Sequence, residues 1–212
     1  MTSKAHWEEV YQTKAVDEVS WYRPHLEVSL KLIADANPDN GSAVIDVGGG
    51  EATLVDDLIA RGYTDVTVLD ISAVAIGVAR SRLGVAAAPV HWITGDITTV
   101  ELEAARYDVW HDRAVFHFLT NADDRAEYVR QVARAVKPGG HVIVATFGVG
   151  GPEKCSGLDV VRYDAENLHN EFGPKFRLLD SVTEVHETPW GTPQQFMYCF
   201  CRVESEPHPL RA

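Results

Sequence analysis

Ala43-Val44-Ile45-Asp46-Val47-Gly48-Gly49-Gly50-Glu51-Ala52-Thr53-Leu54 is the stretch that decides the fold. Residues 43–47 are apolar on both alternating faces apart from one acid, as in a strand buried inside a parallel sheet. Three glycines end it, Leu54, Leu58 and Ile59 follow at helical spacing, and Gly62 stands where it caps that helix. A strand, a glycine turn and a helix begin a βαβ unit, so a parallel strand must come next.

It does, several times over. Val66–Asp70 is a strand with a helix from Ser72, Val90–Ile93 a third strand ending near Asp96, and Tyr107–Asp112 a fourth. A helix over Asp123–Val136, a turn at Lys137-Pro138-Gly139-Gly140 and a β-branched strand His141–Phe147 follow. Each of the first four strands finishes on an acid or close to one. On the amino side, Pro24 suits the first turn of a helix carrying Leu26, Leu30 and Ile33 on one face, and Asn37-Pro38-Asp39-Asn40-Gly41 stops it. After the glycine-rich loop Gly148–Gly157 come a short helix, Ala165–Phe172, and two strands, Phe176–Glu187 and Gln194–Val203. Their connection is too short for a parallel crossover, so they form an antiparallel hairpin. The expected fold is α/β: a doubly wound seven-stranded sheet, mostly parallel with an antiparallel C-terminal hairpin strand, and helices on both faces.

Composition narrows the function. The 212 residues carry 31 acidic and 19 basic side chains, a formal charge of −12 that repels phosphate backbones and anionic membranes. No apolar run approaches a membrane span, no secretory signal opens the chain, and three cysteines of irregular spacing frame neither a zinc site nor a disulfide set. A soluble, cytoplasmic protein with reduced thiols, no nucleic-acid or membrane partner and no metal is expected; nothing indicates an oligomeric state. One domain over 1–212 is expected, made of an N-terminal helical lid segment (1–41), a cofactor-binding half (42–147), a substrate loop and terminal hairpin (148–203) and a tail (204–212).

Open α/β sheets bind ligands beyond the carboxyl ends of their strands, where the unusual residues collect here. Gly48 and Gly50 admit a ligand where a Cβ would collide, and Asp70, 24 residues after Asp46, is placed to accept both hydroxyl hydrogens of a ribose. A nucleoside site follows. A dinucleotide fingerprint starts the same way, but Gly48-x-Gly50-x-x-Thr53 lacks its third glycine and Glu51 would face the pyrophosphate. A phosphate-free nucleoside bearing a sulfonium cation suits this acidic turn better.

With these residues the chain resembles the class I S-adenosylmethionine-dependent methyltransferases, over about Ser42–Val203. Asp46-Val47-Gly48-Gly49-Gly50-Glu51-Ala52 looks like their Asp-x-Gly-x-Gly-x-Gly loop, with Ala52 in place of the last glycine; Val68-Leu69-Asp70-Ile71, Thr94-Gly95-Asp96-Ile97 and Lys137-Pro138-Gly139-Gly140 look like their later motifs. The resemblance implies S-adenosylmethionine as cofactor, leaving S-adenosylhomocysteine, and an antiparallel strand inserted beside the fifth. It implies Asp46, Gly48 and Gly50 around the methionine part, Asp70 on the ribose, Ile71 on an adenine face, and Asp96 with Ile97 at the adenine edge. The leader His6-Trp7-Glu8-Glu9-Val10-Tyr11 and Val19-Ser20-Trp21-Tyr22 resembles that of a subset containing small bacterial enzymes and protein lysine methyltransferases. Tyr11, Trp21 and Tyr22 then either fold over the cofactor as a lid or pack on the sheet edge.

Methyl transfer needs alignment and exclusion of water more than covalent help. His111, Asp112 and Arg113 end the fourth strand as the catalytic candidates: His111 a base for a thiol or hydroxyl, Asp112 its orienter, Arg113 an anchor for an acidic group. Adjacent strand residues face opposite ways, so all three act together only if the strand has ended; otherwise Asp112 caps the next helix and Arg113 pairs with a neighbour. Further pocket candidates are Cys155, His117 and Trp190, with Arg162 and His186. A thiol of pKa ~8.5 is within reach of a histidine, a lysine of ~10.4 is not, which favours a small-molecule acceptor with an S or O nucleophile. The alternatives are a protein lysine methyltransferase, a non-catalytic cofactor-binding module and a nicotinamide oxidoreductase.

Overall fold

In the computed structural model, which describes residues 4–36 and 39–205, two helices precede the sheet, α1 (Lys4–Thr13) and α2 (Glu27–Ala36). Helix α2 opens at Glu27 and not at Pro24, because the Leu26 carbonyl accepts its first bond, from the Leu30 N–H at 2.9 Å. The expected stop at Asn37-Pro38 lies outside the described residues. Strand β1 (Ala43–Val47) is buried at every residue, and the glycine turn leads into α3 (Leu54–Ala60). The alternation continues through β2 (Asp65–Asp70), α4 (Ala73–Leu83), β3 (His91–Thr94), β4 (Tyr107–Arg113), α5 (Ala122–Ala135) and β5 (Val136–Phe147). Lys137–Gly140 is not a turn before the strand: β5 runs through it, with an irregularity in register opposite Tyr107 and Val109. The loop after β5 carries a small hairpin, β6 (Lys154–Cys155) with β7 (Leu158–Asp159), then α6 (Ala165–Phe172) leads to β8 (Phe176–Glu187) and β9 (Pro193–Val203).

The main sheet has seven strands in the order β3-β2-β1-β4-β5-β9-β8, the first five parallel and the last two antiparallel. Strand β9 inserts between β5 and β8, as expected. The order reverses between β1 and β4, the place where open parallel sheets leave a crevice at their carboxyl ends.

Alternation along the strands sends side chains into two cores. Val44, Val109, Ile143 and Tyr198 pack on the face with α2 and α3; Ile45, Trp110, Val144 and Cys199 pack on the face with α5 and α6. No helix among the described residues is long and apolar enough to cross a membrane.

Candidate active site

Three strand ends build one wall. The Gly48 N–H donates to the Leu69 carbonyl at 2.7 Å and the Gly95 N–H to the Asp70 carbonyl at 2.9 Å, which locks the loops after β1, β2 and β3 side by side. Gly48 (φ +70°) and Gly50 (φ +37°) hold backbone conformations that favour glycine, and a Cβ would collide with Val115 at the first and sit 2.8 Å from Asp70 Oδ2 at the second. Above this wall opens a cleft. Gly48, Asp70, Ile71, Asp96 and Ile97 line it on the sheet side, and Tyr11, Trp21 and Cys155 on the other. With Arg113, nine residues singled out from sequence thus meet in one cavity.

The electrostatics are acidic. Asp70 Oδ1 accepts the Ser72 N–H at 2.8 Å, yet burial pushes its carboxyl up to about 7, helped by the charges of Asp46, Glu8 and Glu51. Asp96 Oδ1 is turned back on its own loop, accepting from Thr98 N–H and Oγ–H at 2.9 and 2.7 Å. Burial raises the Cys155 thiol to about 11. Helix α1 closes the top: Trp7 packs against Tyr11, Trp21 and Phe118 with ring centroids 5.1–5.9 Å apart. Glu8 fastens that helix to the start of α4, accepting from Ser72 Oγ, Ala73 N and Val74 N at 2.8, 3.0 and 3.2 Å.

The end of β4 corrects the catalytic reading. His111 is buried with both ring nitrogens engaged, Nδ1 donating to Asp46 Oδ1 at 2.7 Å and Nε2 lying 2.8 Å from Ser29 Oγ on α2. It therefore has no nitrogen free to take a proton from an acceptor. Asp112 faces the opposite side of the sheet, because the strand has not yet ended there: it accepts from Val115 N, Phe116 N and Tyr128 OH at 2.8, 3.1 and 2.6 Å, and cannot orient His111. Burial raises Asp112 to about 6. Arg113 does line the cleft, with Nε on Tyr198 OH at 3.0 Å, Nη1 on the Trp21 carbonyl at 3.2 Å and its guanidinium 4.0 Å from the Phe196 ring centroid.

Three substrate candidates separate. Cys155 stays at the cleft. His117 is buried outside it, its Nδ1 accepting the Phe147 N–H at 3.2 Å, and burial holds it neutral with its pKa down to about 3. Trp190 is 60% exposed at the tip of the β8–β9 turn, because that hairpin carries it past the strand ends and into solvent. Arg162 braces the loop through Glu153 and the carbonyls of Val149 and Gly151, and His186 bonds the Ser20 carbonyl at 2.7 Å.

The sequence reading missed Ser29, whose place on the apolar stripe between Leu26 and Ile33 was the available signal. It also missed Tyr198 and Glu184, which continue the Asp46–His111–Ser29 chain toward Arg113 from the distant hairpin. A second cavity adjoins the first, sharing Tyr11, Trp21, Gly48 and Arg113 with it and adding Asp46, Glu51 and Arg23.

Residues 44–140 match the family described as methyltransferase domain. In that segment the chain resembles the methyltransferases, and its fold is that of solved S-adenosylmethionine-dependent methyltransferases. It is 34% identical over 110 residues to an uncharacterized methyltransferase of Mycobacterium tuberculosis, covering 52% of this chain and 53% of that one. It is 28% identical over 156 residues to the eEF1A lysine and N-terminal methyltransferase of Mus musculus (74% and 21%), and 36% over 108 residues to a ubiquinone biosynthesis O-methyltransferase of Proteus mirabilis (50% and 42%). The chain spans about half the length of the bacterial relatives it matches. Among solved folds, one from work on conversion of a disulfide bond into a thioacetal group in echinomycin biosynthesis superposes with TM-score 0.75 at 16% identity, covering 95% of this chain and 91% of that one.

S-adenosylmethionine is the cofactor of this family, and the residues present fit it. Gly48 lines the cleft with a backbone angle and a close approach that exclude a Cβ, a buried carboxylate stands at the end of β2, and apolar Ile71 and Ile97 line the same cleft.

Proposed function

We propose that the protein transfers a methyl group from S-adenosylmethionine to a small-molecule nucleophile, with sulfur or oxygen as the accepting atom. One observation carries this reading. The cleft that joins Asp70, Asp96 and the glycine turn also carries Trp7, Trp21, Phe118 and Cys155, so its wall is mostly apolar and suits a small acceptor.

In this reading Asp70 receives the ribose hydroxyls, Ile71 and Ile97 sandwich the base, Asp96 meets its edge, and Gly48 and Gly50 let the methionine part lie on the backbone. The cofactor supplies a methyl group already activated by its sulfonium. The chain's part is to align an acceptor and keep water out, through α1 and its aromatic cluster. The histidine at the end of β4 is not free to accept a proton, since His111 is held by Asp46 and Ser29. That favours sulfur: a thiol gives a few per cent of thiolate at neutral pH without help, whereas a lysine ammonium does not. One relative is named an O-methyltransferase of ubiquinone biosynthesis and another an eEF1A lysine and N-terminal methyltransferase, so the acceptor class is the point to test.

The test is transfer of radiolabelled methyl from S-adenosylmethionine into a cell extract separated by size, with the Asp70→Ala protein as blank. Label in the small-molecule fraction supports the reading. Label confined to a protein band replaces it with protein methylation, and none in either fraction turns it toward a cofactor-binding module.

A further inference from the structure

Arg113 is the one cation that lines the first cleft among the described residues, and the protein leaves part of it unused. It stands at the carboxyl end of β4 and borders both cavities, so it marks their junction. Its side chain is 4% exposed. Nε donates to Tyr198 OH, Nη1 donates to the Trp21 carbonyl, and the guanidinium rests over the Phe196 ring. Nη2 is buried with no hydrogen-bond partner.

No neighbour answers that nitrogen. From β8, Glu184 Oε2 stands 3.6 Å away, beyond hydrogen-bond reach, and already accepts from the Tyr198 hydroxyl at 2.9 Å; Glu184 Oε1 faces Arg23 at 3.5 Å. Two guanidiniums against one carboxylate leave a single positive charge. The other titratable groups that feel the Arg113 charge are His117, His186, Cys155 and Tyr198, and burial favours the neutral form of each.

A guanidinium N–H left in a dry wall without an acceptor is costly, and a charge-assisted bond to an anion removes that cost. The surroundings decide which anion. Asp46, Glu51 and Asp70 stand along the same two cavities, so a phosphate of nearly two charges is repelled where a single carboxylate matches the one charge on offer. Trp21, Phe118 and Cys155, which share the cleft with Arg113, give the rest of such a molecule an apolar wall.

We propose that Arg113 selects the methyl acceptor, a small carboxylic acid that is negatively charged as a whole, and that Nη2 holds its carboxylate at the junction of the two cavities. The proposal rests on the methyl-transfer reading above and adds the acceptor's class and the residue that recognises it. The transfer is otherwise that of the reading: the acceptor's sulfur or oxygen gains the methyl group and loses its proton to buffer, S-adenosylhomocysteine is left, and the carboxylate passes through unchanged.

The test divides the small-molecule fraction of a cell extract on an anion exchanger before methylation. One pool is unretained at pH 7, a second is released at about pH 2.5, where carboxylates take up protons, and a third stays bound there and holds phosphates and sulfates. Each pool, returned to pH 7, is incubated with the whole chain and radiolabelled S-adenosylmethionine. At least about tenfold more label is expected from the acid-released pool than from either of the others. A smaller preference, or label chiefly from another pool, overturns the proposal and leaves small-molecule methyl transfer standing; label from no pool overturns both. Arg113→Met should lower the initial rate with the acid-released pool at least about tenfold and S-adenosylhomocysteine affinity by less than about threefold, and Arg113→Lys should recover part of the rate. Equal losses of rate and affinity would assign Arg113 to the cofactor, and an unchanged rate would leave it bracing Trp21 and Tyr198 only; either result overturns the proposal. If Arg113→Met does not fold, the three pools with wild type decide the matter.

Discussion

Asp70 concentrates the residue-scale physics. Its carboxylate stands at the strand end where two ribose hydroxyls would meet it, and each charge-assisted bond is worth ~1.5–3 kcal/mol net. Asp70→Ala should therefore weaken S-adenosylhomocysteine binding at least about 100-fold by calorimetry, and unchanged affinity would remove it from the site. The same side chain sets a pH dependence. Its folded pKa of about 7 lies above the ordinary carboxyl value of about 3.9, so the native state keeps a proton that the unfolded chain has lost. The stabilising share of that proton is complete below about pH 4 and is lost as pH rises through about 7. Without ligand, the Tm of wild type relative to Asp70→Asn should thus fall across that window; a constant difference would show that Asp70 ionises freely. Gly48 is the steric counterpart. Its positive φ and the collision of any Cβ with Val115 predict that Gly48→Ala abolishes measurable binding of S-adenosylhomocysteine and lowers Tm, and a variant that binds normally would contradict the cradle.

At the scale of elements, β4 shows what a linear reading can and cannot see. His111-Asp112-Arg113 was legible as a cluster, and the alternation rule already warned that its members part ways; only the length of the strand, which runs to Arg113, settles that they do. Asp112 goes to α5, where Tyr128 OH donates to it at 2.6 Å and accepts from Trp110 Nε1 at 2.9 Å. Tyr128→Phe leaves the Trp110 N–H and an Asp112 oxygen buried without that partner and should cost about 1–3 kcal/mol in denaturant unfolding, with S-adenosylhomocysteine affinity unaltered. Helix α1 makes the opposite case. Trp7 and Tyr11 were legible as aromatics of a leader, but the latch was not: Glu8 bonds residues 64 to 66 positions away. Glu8→Ala should remove a cap worth about 1 kcal/mol and speed release of S-adenosylhomocysteine in stopped flow, and an unchanged off-rate would deny α1 a closing role.

Across the whole molecule, strand order turns separate motifs into one cleft. The apolar runs, glycine turns and strand-end acids made the α/β class, the antiparallel hairpin and most of the cleft wall readable from the chain itself. They depend on short-range rules: period-two burial, helix caps, and the freedom of glycine at positive φ. Sequence alone could not determine which side chains confront one another across elements. That His111 is locked between Asp46 and Ser29, that Tyr198 and Glu184 reach Arg113 from the last hairpin, and that Glu51 is left without a donor were decided by packing α1, α2 and β9 onto the sheet. Burial and partnering are properties of the folded neighbourhood: a carboxylate or imidazole takes its chemistry from atoms tens of residues away, and those meet only in the tertiary structure.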